Sequence, residues 1–321
     1  MDRESTGIIK TKEMKRKLIV VVLMLLSGLV HAQQDAQFTQ YMYNTINVNP
    51  AYAGSRGVMS IFGLHRTQWV GLEGAPVTST ASINTPISTD IGLGLSFIND
   101  RIGPSDESNI AVDFAYRITV SPAYKLSFGL KASANLLNID FTKLNRYDPD
   151  DDVFDTNIDN KFSPNIGVGF YLYSDNTYVG LSAPNLLETK HFDRYASTGS
   201  ESHVAKENIH YNLIAGHVFD LSYDLKFKPA MLVKMVQGAP LQVDVSANFL
   251  IYEKFTAGLA YRWSAAVSAL AGFQINESWF IGYGYDMDTT KLSNYNSGSH
   301  ELFIRYELFK KYDKIISPRF F

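Results

Sequence analysis

The sequence contains no cysteine. That absence removes disulfides, thiol catalysis, thiolate zinc sites and cysteine-linked lipid together. An excess of basic charge is also missing: 29 Lys and Arg stand against 32 Asp and Glu, a formal net charge of -3. Nucleic-acid binding usually asks for a basic domain, so nucleic acid is not an expected partner. Past residue 32 no run of ~18 apolar residues occurs, so no helical membrane span is expected. Catalytic signatures are lacking as well. The seven histidines are His31, His65, His191, His203, His210, His217 and His300. No H-E-x-x-H, G-x-S-x-G or Walker pattern accompanies them. His210 and His217 sit on one predicted strand with odd spacing, so they face opposite sides and cannot clamp a metal. Neither enzyme activity nor a cofactor is expected. What the chain does have is 20 Phe, 19 Tyr, 3 Trp and 22 Gly, with charged residues at only 19 %. Aromatic- and glycine-rich, charge-poor chains are typical of β-architectures.

The N-terminus reads as an address. Lys15, Arg16 and Lys17 form a basic region, Leu18 to Leu26 an apolar core, and Val30-His31-Ala32 a small-residue cleavage signal. The core is too short for a stable membrane anchor, which is the alternative reading. The residues before Met14 have no signal character and read as a misassigned start. Loss of residues 1–32 removes six basic and three acidic residues, taking the net charge from -3 to -6. N-terminal sequencing of envelope protein is expected to begin at or near Gln33; a mature chain that still carries Leu18–Leu26 would contradict this.

The remainder alternates with period two. Ile110, Val112, Phe114, Tyr116 and Ile118 share one face, while Ala111, Asp113, Ala115 and Arg117 share the other. Stretches 125–136 and 241–252 repeat the pattern. Each is a strand with one apolar and one wet face. A soluble sandwich and an outer-membrane barrel both produce this alternation. Many runs reach the ~9–11 residues that a tilted membrane strand needs, whereas globular strands peak near ~5–6. Strands are predicted near 58–69, 76–87, 91–99, 109–120, 124–138, 164–173, 177–182, 208–221, 225–236, 241–252, 255–263, 266–275, 279–287 and 300–309, about fourteen in all. Connections after even strands are short; the long ones, 100–108, 139–163, 183–207 and 288–299, all follow odd strands. Short turns at one mouth and longer loops at the other are the barrel pattern. Trp69, Tyr124, Tyr178, Tyr211, Tyr261, Trp263, Trp279 and Tyr283 are candidates for interfacial girdles. The expected fold is therefore an all-β transmembrane antiparallel barrel, in contact with outer-membrane lipid, after a cleaved signal peptide. The expected divisions are 1–32 (extension and signal), 33–56 (periplasmic lead-in), 57–309 (barrel) and 310–321 (C-terminal tail).

Three stretches are more specific: Asn49-Pro50-Ala51-Tyr52-Ala53-Gly54, then Arg66 through Pro76, and finally Ser317-Pro318-Arg319-Phe320-Phe321. In this order they resemble the PorP/SprF family of outer-membrane proteins of the type IX secretion system in Bacteroidota, over about Gln37 to Phe321. The segment before Met14 departs from the family pattern. The resemblance implies a β-barrel of the outer membrane that works with secretion or gliding machinery subunits. It further implies a role in export or surface attachment of secreted cargo, such as gliding adhesins. The family-motif positions Asn49, Pro50, Gly54, Arg66, Trp69, Gly71, Pro76, Pro318 and Arg319 are then either partner-binding or structural. Pro50 forces Asn49 out of the helical region and Gly54 permits a positive φ, which suits a rigid lead-in to strand one or a periplasmic epitope.

The alternation places Asp113, Arg117, Lys125, Lys131, Asp244, Arg262 and Asp286 in the lumen. Arg66 is expected to pair with Asp113, Asp244 or Asp286, since an unpaired charge in a narrow barrel is costly. Asp148, Asp150 and Asp152 belong to an acidic run with the oxygen density of a calcium site but no EF-hand template, so a solvated external loop is the simpler reading. Two rival functions remain at this stage. One is a porin with Arg117, Lys125, Lys131 and Arg262 along its pore; the other is a soluble secreted scaffold.

Overall fold

The computed structural model describes residues 37–144, 157–188 and 208–309. The signal segment, Asp148, Asp150 and Asp152, the C-terminal tail, Pro318 and Arg319 lie outside the described residues. The strands are β1 (Met59–Thr67), β2 (Val77–Pro86), β3 (Ile91–Ile102), β4 (Ser105–Thr119), β5 (Lys125–Ile139), β6 (Ile158–Tyr173), β7 (Thr177–Ala183) and β8 (His210–His217). They continue as β9 (Phe219–Ser222), β10 (Leu225–Val236), β11 (Gln242–Ile251), β12 (Phe255–Arg262), β13 (Ala266–Gln274), β14 (Trp279–Asp288) and β15 (Ser299–Leu308). β8 and β9 both pair with β10 and form one interrupted strand, so the antiparallel barrel has 14 staves. Each stave pairs with the next, and β1 closes on β15 from Met59↔Leu308 to Thr67↔His300. Closure leaves no continuous sheet edge, which is how strands satisfy their backbone in lipid.

Burial is inverted relative to a soluble protein. Phe114, Val112, Leu130 and Ile166 lie exposed on the outside, while Asp113, Ser127, Lys131 and Glu301 are buried inside. An apolar outer face of this extent suits lipid and not water, which removes the soluble-scaffold alternative. The predicted face parity holds in β4, where Asp113 is 0 % and Phe114 40 % exposed.

Four expectations change. The connection expected at 100–108 shrinks to Gly103 and Pro104, because Asp100↔Glu107 and Arg101↔Asp106 continue the β3–β4 ladder and Gly103 turns at φ 55°. Charged cross-strand pairs on a hairpin that projects beyond the membrane have the composition of a loop. Loop length therefore sorts less cleanly than expected: the short-turn mouth holds, but the opposite mouth mixes long and short connections. Lys125 has lumenal parity, yet it is the first residue of β5 and is exposed at the rim. Tyr178 points inward, where its ring meets Tyr171 at 5.9 Å, so it belongs to no girdle.

The largest difference concerns 33–56. Its described residues do not lead up to the barrel from the periplasm. They run through the lumen.

Candidate functional site

Residues 37–56 thread the barrel from one mouth to the other. They include a single helical turn, α1 (Thr45–Val48), and a 3-10 turn, Pro50–Tyr52. The break between them follows from local chemistry. Pro50 keeps Asn49 extended at φ -141°, and the Asn49 side chain accepts from the Ala51 N–H at 2.9 Å, capping the turn that Pro50 begins. The Asn49 amide also donates to the Phe170 carbonyl of β6 at 2.9 Å. Asn49 and Pro50 therefore act inside the barrel, and a solvent-facing epitope at these residues is not what the structure has.

The barrel wall is cut to receive this plug. Inward-facing Gly92, Gly94, Gly129 and Gly169 lie where a Cβ would collide with Ala53, Ile46, Ala51 and Asn49, respectively. At Gly92 and Gly129 the atoms struck belong to the plug backbone, at Gly94 and Gly169 to plug side chains; strand glycines of this kind mark a close approach. Gly54 itself has φ 67° and packs on Gly92, so it needs both the freedom and the smallness of glycine. Elsewhere along the wall, on β6, β14 and β15, plug rings meet wall rings. Tyr43 packs on Phe303 and Phe280 at 4.8 and 5.5 Å, and Tyr52 on Tyr171 at 5.8 Å.

Polar contacts fasten the plug at both ends. At the mouth reached by the ends of β1 and β12, Arg66 pairs with Asp286 at 2.7 Å and Glu301 at 3.2 Å. The backbone N–H groups of Thr39 and Gln40 donate to Glu301 at 3.0 and 2.9 Å, and the Thr39 hydroxyl donates to Asp286 at 2.6 Å. Beside them Arg262 pairs with Asp244 at 2.6 Å and donates to the Gln37 side chain at 3.0 Å. Midway, Lys131 lies 3.4 Å from both Asp113 and the Ile46 carbonyl. At the opposite mouth Arg56 pairs with Glu307, which also holds Arg305 at 3.3 Å. There Arg117 donates to the Gly54, Ser88 and Ile91 carbonyls, tying the plug to a turn.

Of the three partners expected for Arg66, Asp286 is the one found. Asp113 and Asp244 instead take Lys131 and Arg262. Arg56, Glu301, Arg305 and Glu307 were not among the expected residues. The last three share one face of β15 with Ser299, so period two was the signal for them. Arg56 belongs to the aperiodic plug and had no such signal. Trp69, Gly71 and Pro76 lie in the β1–β2 connection. Trp69 (φ 45°) donates its N–H to Ser299 at 3.1 Å, Gly71 has φ 103°, and the Pro76 carbonyl accepts from Gln68 at 2.9 Å. They shape a rim beside the start of β15. Outside the membrane span, the Thr142 hydroxyl donates to Asp140 at 2.6 Å and holds that carboxyl below the ordinary carboxylate range.

A bulky residue at Gly129 is expected to dislodge the plug. Its Cβ would strike the Ala51 and Pro50 backbone, which cannot rotate away, and overpacking costs ~1–3 kcal/mol. Limited proteolysis of folded Gly129→Val should cut within 37–56, while wild type and the control Gly63→Ala stay intact there. Equal protection in all three would contradict the packing described.

The family model described as type IX secretion system membrane protein PorP/SprF matches residues 30–306. No curated protein matches the chain in sequence. Among solved structures it resembles the Ralstonia pickettii toluene transporter TbuX (TM-score 0.50, 10 % identity, 83 % of this chain and 93 % of that one). It is also similar to the CymD monoaromatic hydrocarbon channel (0.49, 12 %, 85 % and 94 %). A third similar structure is Acinetobacter baumannii Omp33 (0.47, 7 %, 78 % and 98 %). At such identities the likeness is one of fold.

Proposed function

This chain belongs to the PorP/SprF family of type IX secretion system membrane proteins, and from that premise we propose that it assists export or surface attachment of secreted proteins, gliding adhesins among them. It is an outer-membrane β-barrel associated with that secretion system. In the proposed role it performs no catalysis and acts through surfaces offered to machinery subunits and cargo. The observation that supports this over a solute porin is the plug: residues 37–56 occupy the lumen and are fastened to the wall at both mouths. A solute moving along the axis would have to pass them. A general porin keeps an aqueous lumen open.

The test is a deletion strain whose secretome and surface proteome are compared with wild type. Loss or periplasmic retention of particular large secreted proteins, restored by the intact gene, is the expected result. An unchanged secretome together with a steady conductance of the wild-type barrel in planar bilayers would favour the porin.

Orientation follows from turn length. Short turns lie at the periplasmic mouth of outer-membrane barrels, which puts the connections after β5 and β7 outside. A tag inserted near Asp152 should be reached by antibody on whole cells. Labelling only after permeabilisation would reverse the topology.

A further inference from the structure

We propose that residues 37–56 are a displaceable plug that leaves by the short-turn mouth, and that its departure turns the barrel into an aqueous pore. This does not rest on the export reading.

The first support is the chemistry of the wall. A lumen built only to hold a permanent core would be apolar, because buried polar groups cost free energy unless they are hydrogen-bonded. Beside the small residues Gly92, Gly94, Ala111, Ala115 and Gly129, the arc β2–β5 turns Thr, Ser, Asn, Asp and Lys side chains inward. Several of these have polar atoms that neither the plug nor the wall satisfies, among them Asn84 Oδ1, Ser127 Oγ, Ser133 Oγ and Asn135 Oδ1. Such a wall suits water at least as well as it suits the plug. Removing the plug therefore uncovers a hydrophilic surface on this side.

The second support is the connection to the barrel. The plug continues into β1 through Gly57 (φ 79°), three residues after Gly54 (φ 67°). Both glycines sit at the short-turn mouth, where Arg117 and Glu307 hold Gly54 and Arg56. The other end, at Gln37, lies beside Arg262 at the opposite mouth. This geometry fixes the direction of exit. Twenty residues extend to ~70 Å at ~3.3–3.6 Å per residue, well beyond the ~25 Å apolar band of such a barrel. A pull on the Gln37 end would straighten the plug but leave it threaded. Only movement toward the short-turn mouth, hinged on the two glycines, empties the lumen. A partner that opens the barrel must then grip it from that mouth.

The absence of native cysteine makes the test direct. Asn44 and Ser82 face each other across the plug–wall boundary, with Ser82 Oγ donating to Asn44 Oδ1 at 3.1 Å. The Asn44→Cys/Ser82→Cys barrel is placed in a planar bilayer and urea is raised stepwise. With the pair reduced, reversible conductance steps are expected at urea well below that which destroys the barrel, because plug and wall unfold as separate units. With the pair oxidised, those steps should vanish. A second arm fixes direction: Gln37→Cys, biotinylated and capped with streptavidin on the long-loop side, should suppress the steps, since the cap cannot pass through the lumen. A reduced barrel that stays shut until it is lost, or an oxidised one that opens equally, overturns the plug as displaceable. Undiminished steps under streptavidin overturn the direction of exit.

Discussion

Arg66→Ala is expected to lower the stability of the plugged barrel against loss of its plug by ~3–5 kcal/mol, the usual cost of breaking a buried ion pair from one side. Arg66 is 2 % exposed and is shared by Asp286 and Glu301. Its removal leaves two buried carboxylates close together with no cation between them. Thr39 and Gln40 still donate to these groups, but neutral donors offset only part of a buried charge. Arg66→Lys should fall between, because a single ammonium cannot fork to two carboxylates as a guanidinium does. Urea titration of the purified barrel, read by proteolytic cleavage within 37–56, checks the order, because the plug is the unit these contacts hold. The second-site change Glu301→Gln should recover part of the loss, since it removes one orphaned charge. A plug in Arg66→Ala that resists urea as well as the wild-type plug would show that the cluster does not hold it to the wall.

The second large effect is expected on the lipid face. Phe114 pairs across the sheet with Leu93 and Leu130, and all three are exposed outward. An Arg near the middle of that band costs ~2–4 kcal/mol. Phe114→Arg should therefore strongly reduce folded barrel in the outer-membrane fraction. Asp113→Asn keeps the size of the neighbouring side chain, and Lys131 retains the Ile46 carbonyl as acceptor. The orphaned Lys131 charge weakens the hold on the plug, while insertion of β4 into lipid is untouched, so the variant's loss of assembled barrel should be much smaller. Equal loss would mean that the lumen depends on the Asp113–Lys131 pair; loss for Asp113→Asn alone would mean that β4 is inverted.

Strand faces were legible because a period of two is local. The parity of Phe114 and Asp113 needs no knowledge of any other strand, and the limits of most strands moved by only a residue or two. What escaped was set by distant contacts. The plug has neither a helical nor a strand period, and its burial comes from partners such as Glu301, 262 residues from Thr39. Its motif read as a lead-in because Asn49-Pro50 and Gly54 specify a turn without specifying where the turn sits. Gly92, Gly94, Gly129 and Gly169 carried the missing signal. Glycines on the wet face of otherwise regular strands announce that another segment comes close. Lys125 and the 100–108 hairpin failed for a different reason: parity gives the side of the wall, but not the height along it.

Cross-linking in the native membrane distinguishes a segment 37–56 that fills the lumen from one that lies outside the barrel. Asn47 donates to the Thr80 hydroxyl across the plug–wall boundary at 3.0 Å. Asn47→Cys/Thr80→Cys, in a chain with no other cysteine, should form a disulfide on mild oxidation of intact outer membranes. It should shift migration on a non-reducing gel and be shielded from water-soluble maleimide beforehand. The control Asn47→Cys/Ile83→Cys, with Ile83 on the lipid face, should form none. No disulfide at 47/80, together with free labelling of Asn47→Cys, would place the segment outside the barrel and contradict the account.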